Sequence, residues 1–92
     1  MAGVPSIDEV WRRISAHQGE QFETKTGLPL TYSVDGNLLT TDRSEYPLGI
    51  GDFEKVLETV PLDTLTGITH LVRGPSYIWA ILHDPRIRKS DW

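Results

Sequence analysis

The ten residues Leu30-Thr31-Tyr32-Ser33-Val34-Asp35-Gly36-Asn37-Leu38-Leu39 decide the fold. Leu30, Tyr32 and Val34 alternate with Thr31 and Ser33, the period of two expected of a strand with one buried face. Asp35-Gly36 then offers a two-residue hairpin loop, because both central positions of a type I′ turn need positive φ. With that loop, Val34 faces Asn37, Ser33 faces Leu38, and Tyr32 faces Leu39 as a cross-strand pair. Upstream, Phe22 and Thr24 alternate with polar neighbours, and Thr26-Gly27 marks a turn. The expected sheet is therefore a three-stranded antiparallel meander between Glu20 and Asp42, its first strand the weakest.

Helical signals flank this sheet on both sides. Before it, Ser6 and Glu9 form a capping box, and Asp8 and Glu9 place negative charge at the positive end of a helix. Ile7, Val10, Trp11 and Ile14 make one apolar stripe on that helix, and Gly19 stops it. After the sheet, Pro47 marks a loop. Ile50, Phe53, Leu57 and Val60 then predict a helix over about Ile50 to Thr59, closed by Pro61. A short helix is expected near Gly67 to Val72 with Thr66 as its cap. The last helix has Gly74 as N-cap, Pro75 at its first position, and Tyr77, Ile78, Ile81 and Leu82 on its inner face, with Asp84-Pro85 as its end. The expected class is α+β: an N-terminal helix, the meander, then two to three helices ending in a helix-turn-helix-like pair.

Ninety-two residues make one expected domain, spanning 1–92, which must be held by an efficient apolar core. Three Trp, three Tyr and two Phe supply large buried areas for a chain that is only 38% hydrophobic. Without cysteine there is no disulfide framework and no thiolate metal site, which together with the lack of a leader-like N-terminus or membrane-length run leads to an expected cytoplasmic location with no membrane partner.

No catalytic pattern emerges. His17, His70 and His83 share no metal-ligand spacing, so no metal or cofactor is expected. No serine sits in a nucleophile-elbow context, and Asp52 and Glu54 diverge on their helix. Gly49-Ile50-Gly51-Asp52 opens a helix but lacks a third glycine, leaving a nucleotide pocket there as a weak third reading. A non-enzyme is expected.

Charge is unevenly spread over a net −4: residues 1 to 60 hold five Lys/Arg against ten Asp/Glu, and residues 61 to 92 hold four against three. Cations at one end can localise an anionic partner. The best candidate surface is the Arg73-Gly74-Pro75-Ser76-Tyr77 turn, where a helix N-terminus and Ser76 could meet an anion and Arg73 flanks them. Were this helix to enter a DNA groove, Ser76, Tyr77 and the outward side of Trp79-Ala80 would read bases, while Arg86, Arg88 and Lys89 would touch phosphates. The alternative is a protein-interaction domain, such as an inhibitor, an antitoxin-like partner or a homodimer subunit, which suits the acidic first two-thirds and the aromatic residues.

The run Gly19, Phe22, Thr24, Gly27, Pro29, Tyr32, Val34, Gly36 resembles a pattern in small actinobacterial α+β proteins, and is similar to accessory modules beside HNH-type restriction endonucleases. Ser76 to Ile87 is similar to the helix-turn-helix portion of some winged-helix proteins. No nuclease residues accompany these stretches and no basic wing follows Ile87. The resemblance implies an accessory binding role and supplies no catalytic residue.

Overall fold

A computed structural model describes residues 5–43, 45–59, 72, 74–89, 91 and 92. Its architecture is α+β: an N-terminal helix, antiparallel strands including a three-stranded sheet, then helices. Helix α1 spans Ile7–Ala16, with the Ser6 side chain accepting from the Glu9 N–H at its start. The expected stripe is its inner face: Val10, Trp11 and Ile14 are buried, and Ile7 packs at their edge. Gly19, at φ +86°, turns the chain after it.

Five short strands follow: β1 (Phe22–Glu23), β2 (Pro29–Leu30), β3 (Tyr32–Asp35), β4 (Leu38–Thr41) and β5 (Leu48–Gly49). The three-stranded sheet is β3-β4-β5, antiparallel throughout, while β1 pairs only with β2. The meander therefore draws its third strand from Leu48–Gly49 rather than from Phe22 and Thr24.

The hairpin register also differs from the sequence reading. Gly36 and Asn37 form the loop, so Asp35 pairs with Leu38, Val34 with Leu39 and Tyr32 with Thr41. Gly36 has φ +60° and Asn37 does not enter the positive region, the requirement of a type II′ turn with glycine first. This register sets Val34 against Leu39 instead of against Asn37, so an apolar pair replaces a mixed one on the inner face. The turn is pinned from below by the Trp11 indole, whose Nε1–H donates to the Gly36 carbonyl at 2.9 Å.

Helix α2 spans Ile50–Leu57 and α3 spans Pro75–Leu82, with Gly49 and Gly74 as their N-caps. A single-turn helix, α4, covers Pro85–Arg88 and is capped by Asp84. Expectations for Val60, Pro61, the helix near 67–72 and Arg73 fall outside the described residues apart from half-buried Val72. Phe22, Leu30, Tyr32, Leu39 and Leu48 from the strands meet Phe53, Val56 and Leu57 of α2, Ile78, Ile81 and Leu82 of α3 and Ile87 of α4 in one core. Burying each such side chain contributes about 1.5–3 kcal/mol. Two polar groups inside it are satisfied: Tyr32 donates its hydroxyl to the Ile14 carbonyl at 2.6 Å, and the Trp92 indole donates to the Leu82 carbonyl at 2.8 Å.

Candidate functional site

A groove of about 330 Å³ separates β1 from α3 and α4. That volume lies at the lower end of the range for ligand pockets, about 300–1,000 Å³. One wall is Gln21, Phe22 and Glu23; the other is Trp79, Ala80, His83 and Asp84, with Arg86 at one end. Trp79 and His83 lie one helical turn apart, and their rings stack with centroids 4.7 Å apart and planes 11° from parallel. Lys25 reaches over the Trp79 ring at 5.3 Å. The His83 Nδ1 lies 3.0 Å from the Trp79 carbonyl, which fixes the imidazole. Burial lowers the His83 pKa from its ordinary value, outweighing that hydrogen bond.

Arg86 is the structural rivet of this groove. Its Nε donates to Asp84 Oδ1 at 2.9 Å, its Nη1 to Glu20 Oε1 at 2.9 Å and its Nη2 to the Gln21 carbonyl at 2.8 Å. The guanidinium also lies over the Phe22 ring, 3.9 Å from its centroid. Hydrogen bonding to Asp84 and then to Glu20 raises the Arg86 pKa against the opposing pull of burial. Burial pushes the Asp84 carboxyl up, but the bonds from the Arg86 side chain and backbone outweigh it and leave the pKa lowered. The Glu20 carboxyl is lowered by hydrogen bonds from His17 and then from Arg86.

The other residues singled out from the sequence sit in different surroundings. Arg88 donates to the Trp92 carbonyl. Lys89 is exposed at the end of α4 with φ 47°, the only non-glycine in the left-handed region among the described residues. Ser76 is half-buried in the first turn of α3. Tyr77 packs against the core and donates its hydroxyl to the Arg43 carbonyl at 3.3 Å. Arg73 lies outside the described residues. Ser76 to Ile87 forms a helix, a His83-Asp84 turn and the four-residue α4.

At the glycines before α2, the Asp52 carboxylate accepts from the Gly49 N–H at 3.2 Å. An acid thus stands where a phosphate would have to bind. Among the described residues there is no group of three or more His, Cys, Asp or Glu that could hold a metal, and no helix long and apolar enough to cross a membrane.

Gln21, Glu23 and His83 line the groove without being candidate binding residues in the sequence. Trp79 and His83 carried a usable signal, since residues four apart on a helix are neighbours. The strand residues carried none, because what places them opposite α3 is tertiary packing. Compared with protein-family models, with curated proteins and with solved structures, the chain matches none.

Proposed function

We propose that this chain is a non-enzymatic protein-interaction domain that holds its partner in the groove between β1 and α3–α4. The observation that carries this reading is the fate of the tail cations. Arg86 spends its donors on Asp84, Glu20 and Gln21, and Arg88 turns to Trp92, so two of the three described tail cations are bonded internally rather than offered to phosphates. The groove itself sets Phe22, Trp79, Ala80 and Pro85 among Gln21, Glu23, His83, Asp84 and Arg86, a mixture of aromatic and polar groups of the kind that serves protein hot spots. The net charge of −4 points the same way, because it opposes approach to a polyanion.

A photoreactive benzophenone amino acid at Gln21, on the groove rim, tests the reading against the same probe at Thr40, on the exposed sheet face. Protein adducts are expected in cells from the first position only, and Trp79→Ala should remove them while the protein stays folded by circular dichroism. Equal labelling from both positions, or none from Gln21, would remove the groove as the contact surface. Labelled duplex DNA at low salt should show no saturable binding up to about 100 μM protein, the weak end of ordinary non-specific affinity. Saturable, salt-sensitive binding lost in Lys89→Ala would instead revive the DNA reading.

A further inference from the structure

The outer edge of β1 has backbone groups facing the groove. Thr24 N–H donates to the Leu28 carbonyl at 2.9 Å, and Phe22 lies opposite Leu30, so residues 22 and 24 direct their peptide groups toward β2. Glu23 lies opposite Pro29, which has no N–H and whose carbonyl accepts instead from Arg43 Nε at 2.7 Å. In an antiparallel ladder this is a non-hydrogen-bonded pair, and it turns the Glu23 N–H and C=O away from β2. Gln21, two residues earlier, faces the same way, and its carbonyl is the one Arg86 occupies. No described residue bonds the Glu23 peptide groups on that side.

From this the geometry points to strand addition: an extended segment of a partner protein pairs with β1 at Glu23 and runs along the groove. The inference rests on the protein-interaction reading and specifies its mode. A donor and an acceptor separated by one residue's width match another main chain, and Arg86 already makes half of such a rung at Gln21. Charge selects the occupant. A second copy pairing about Glu23 would set two Glu23 carboxylates directly opposite each other, a repulsive cross-strand pair, whereas a Lys or Arg there is attractive. The partner residues on either side of that position project with Phe22 toward α3, where Trp79 and Ala80 stand beside the stacked His83 ring. The occupant is therefore an extended segment reading apolar, basic, apolar.

The test uses the full chain and a phage-displayed library of random twelve-residue peptides. Selected peptides are expected to share an apolar-basic-apolar core, to shift the Glu23 amide resonance, and to slow its hydrogen exchange about tenfold. N-methylation of the peptide residue opposite Glu23 should weaken binding by about tenfold or more, since it deletes the main-chain bond. Glu23→Lys leaves the backbone intact and lies on an exposed side chain. It should weaken the basic peptides about fivefold and shift selection toward an acidic centre. Peptides that bind with unchanged Glu23 exchange and a flat N-methyl scan would overturn strand addition while leaving the groove as a contact surface. Failure to select any peptide would also overturn it, and groove-specific cross-linking at Gln21 would then show whether the broader reading survives.

Discussion

Gly74 enters α3 at φ 58° and ψ 46°, in the left-handed region. A Cβ there would stand 3.0 Å from Tyr77 Cδ2 and 3.4 Å from Leu48 Cδ2. The backbone alone disfavours alanine at such torsions by about 1–2 kcal/mol. Gly74→Ala should therefore lower unfolding stability by about 2 kcal/mol in urea denaturation, and a loss below about 0.5 kcal/mol would mean the turn relaxes freely. Arg86 supports a second expectation. Lys keeps the charge but loses the planar fork that reaches Asp84, Glu20 and Gln21 together. Arg86→Lys should lower stability by about 1–2 kcal/mol, measured the same way, because only one of these contacts can persist. Gly74 was legible from the sequence as a helix entry, since Gly-Pro specifies that locally. The role of Arg86 was not, because Glu20 and Gln21 lie 66 and 65 residues away along the chain.

At the level of elements, the turn between α3 and α4 couples two titrations to stability. His83 has a lowered folded pKa, so the unfolded chain takes up a proton more readily as pH falls through its ordinary value of 6.5. Its contribution is present above that pH and is lost toward the lower folded value. Asp84 also has a lowered folded pKa, and it caps α4 by accepting from the Arg86 N–H at 2.9 Å. Its contribution is present above the unfolded value, 3.8, and is lost as pH falls further through the folded one. The midpoint of thermal unfolding should fall between pH 7.5 and 5.5 by less in His83→Gln than in the parent. A second decline below about pH 4 should be reduced in Asp84→Asn. Identical slopes in all three proteins would remove these assignments. The same scale shows how local information limits a reading. The stripe on α1 and the site of the hairpin were legible because one helical turn or one loop determines them. The register was not: Asp35-Gly36 and Gly36-Asn37 are both workable two-residue loops, and the choice is made by the Val34–Leu39 pair and by Trp11 beneath the turn. Strand β5 was hidden by being two residues long and followed at once by a helix.

Across the whole molecule, the charge asymmetry of the sequence becomes internal stitching. Arg86 of the tail bonds Glu20 of the first half, and Arg13 of α1 reaches Asp91 at 2.7 Å and the Ile87 carbonyl at 2.9 Å. Trp92 completes this seam, 9% exposed and hydrogen-bonded to Leu82. Trp92→Ala should cost about 3 kcal/mol, the lower end for a buried aromatic truncation. In a domain of this size that lowers the thermal midpoint by about 12–24 °C, readable by calorimetry. A shift of only a few degrees would mean the indole is peripheral.

The outer side of β3 carries a different implication. There the Gly19 N–H bonds the Tyr32 carbonyl at 2.9 Å and the Gln18 side chain accepts from the Val34 N–H at 3.0 Å, while the opposite margin of that sheet is only two residues long. Open-ended fibre growth needs a template that stays exposed each time a monomer is added. Among the described residues the β3 margin is already occupied, so crowded expression of the chain should not yield cross-β polymer nucleated from β3.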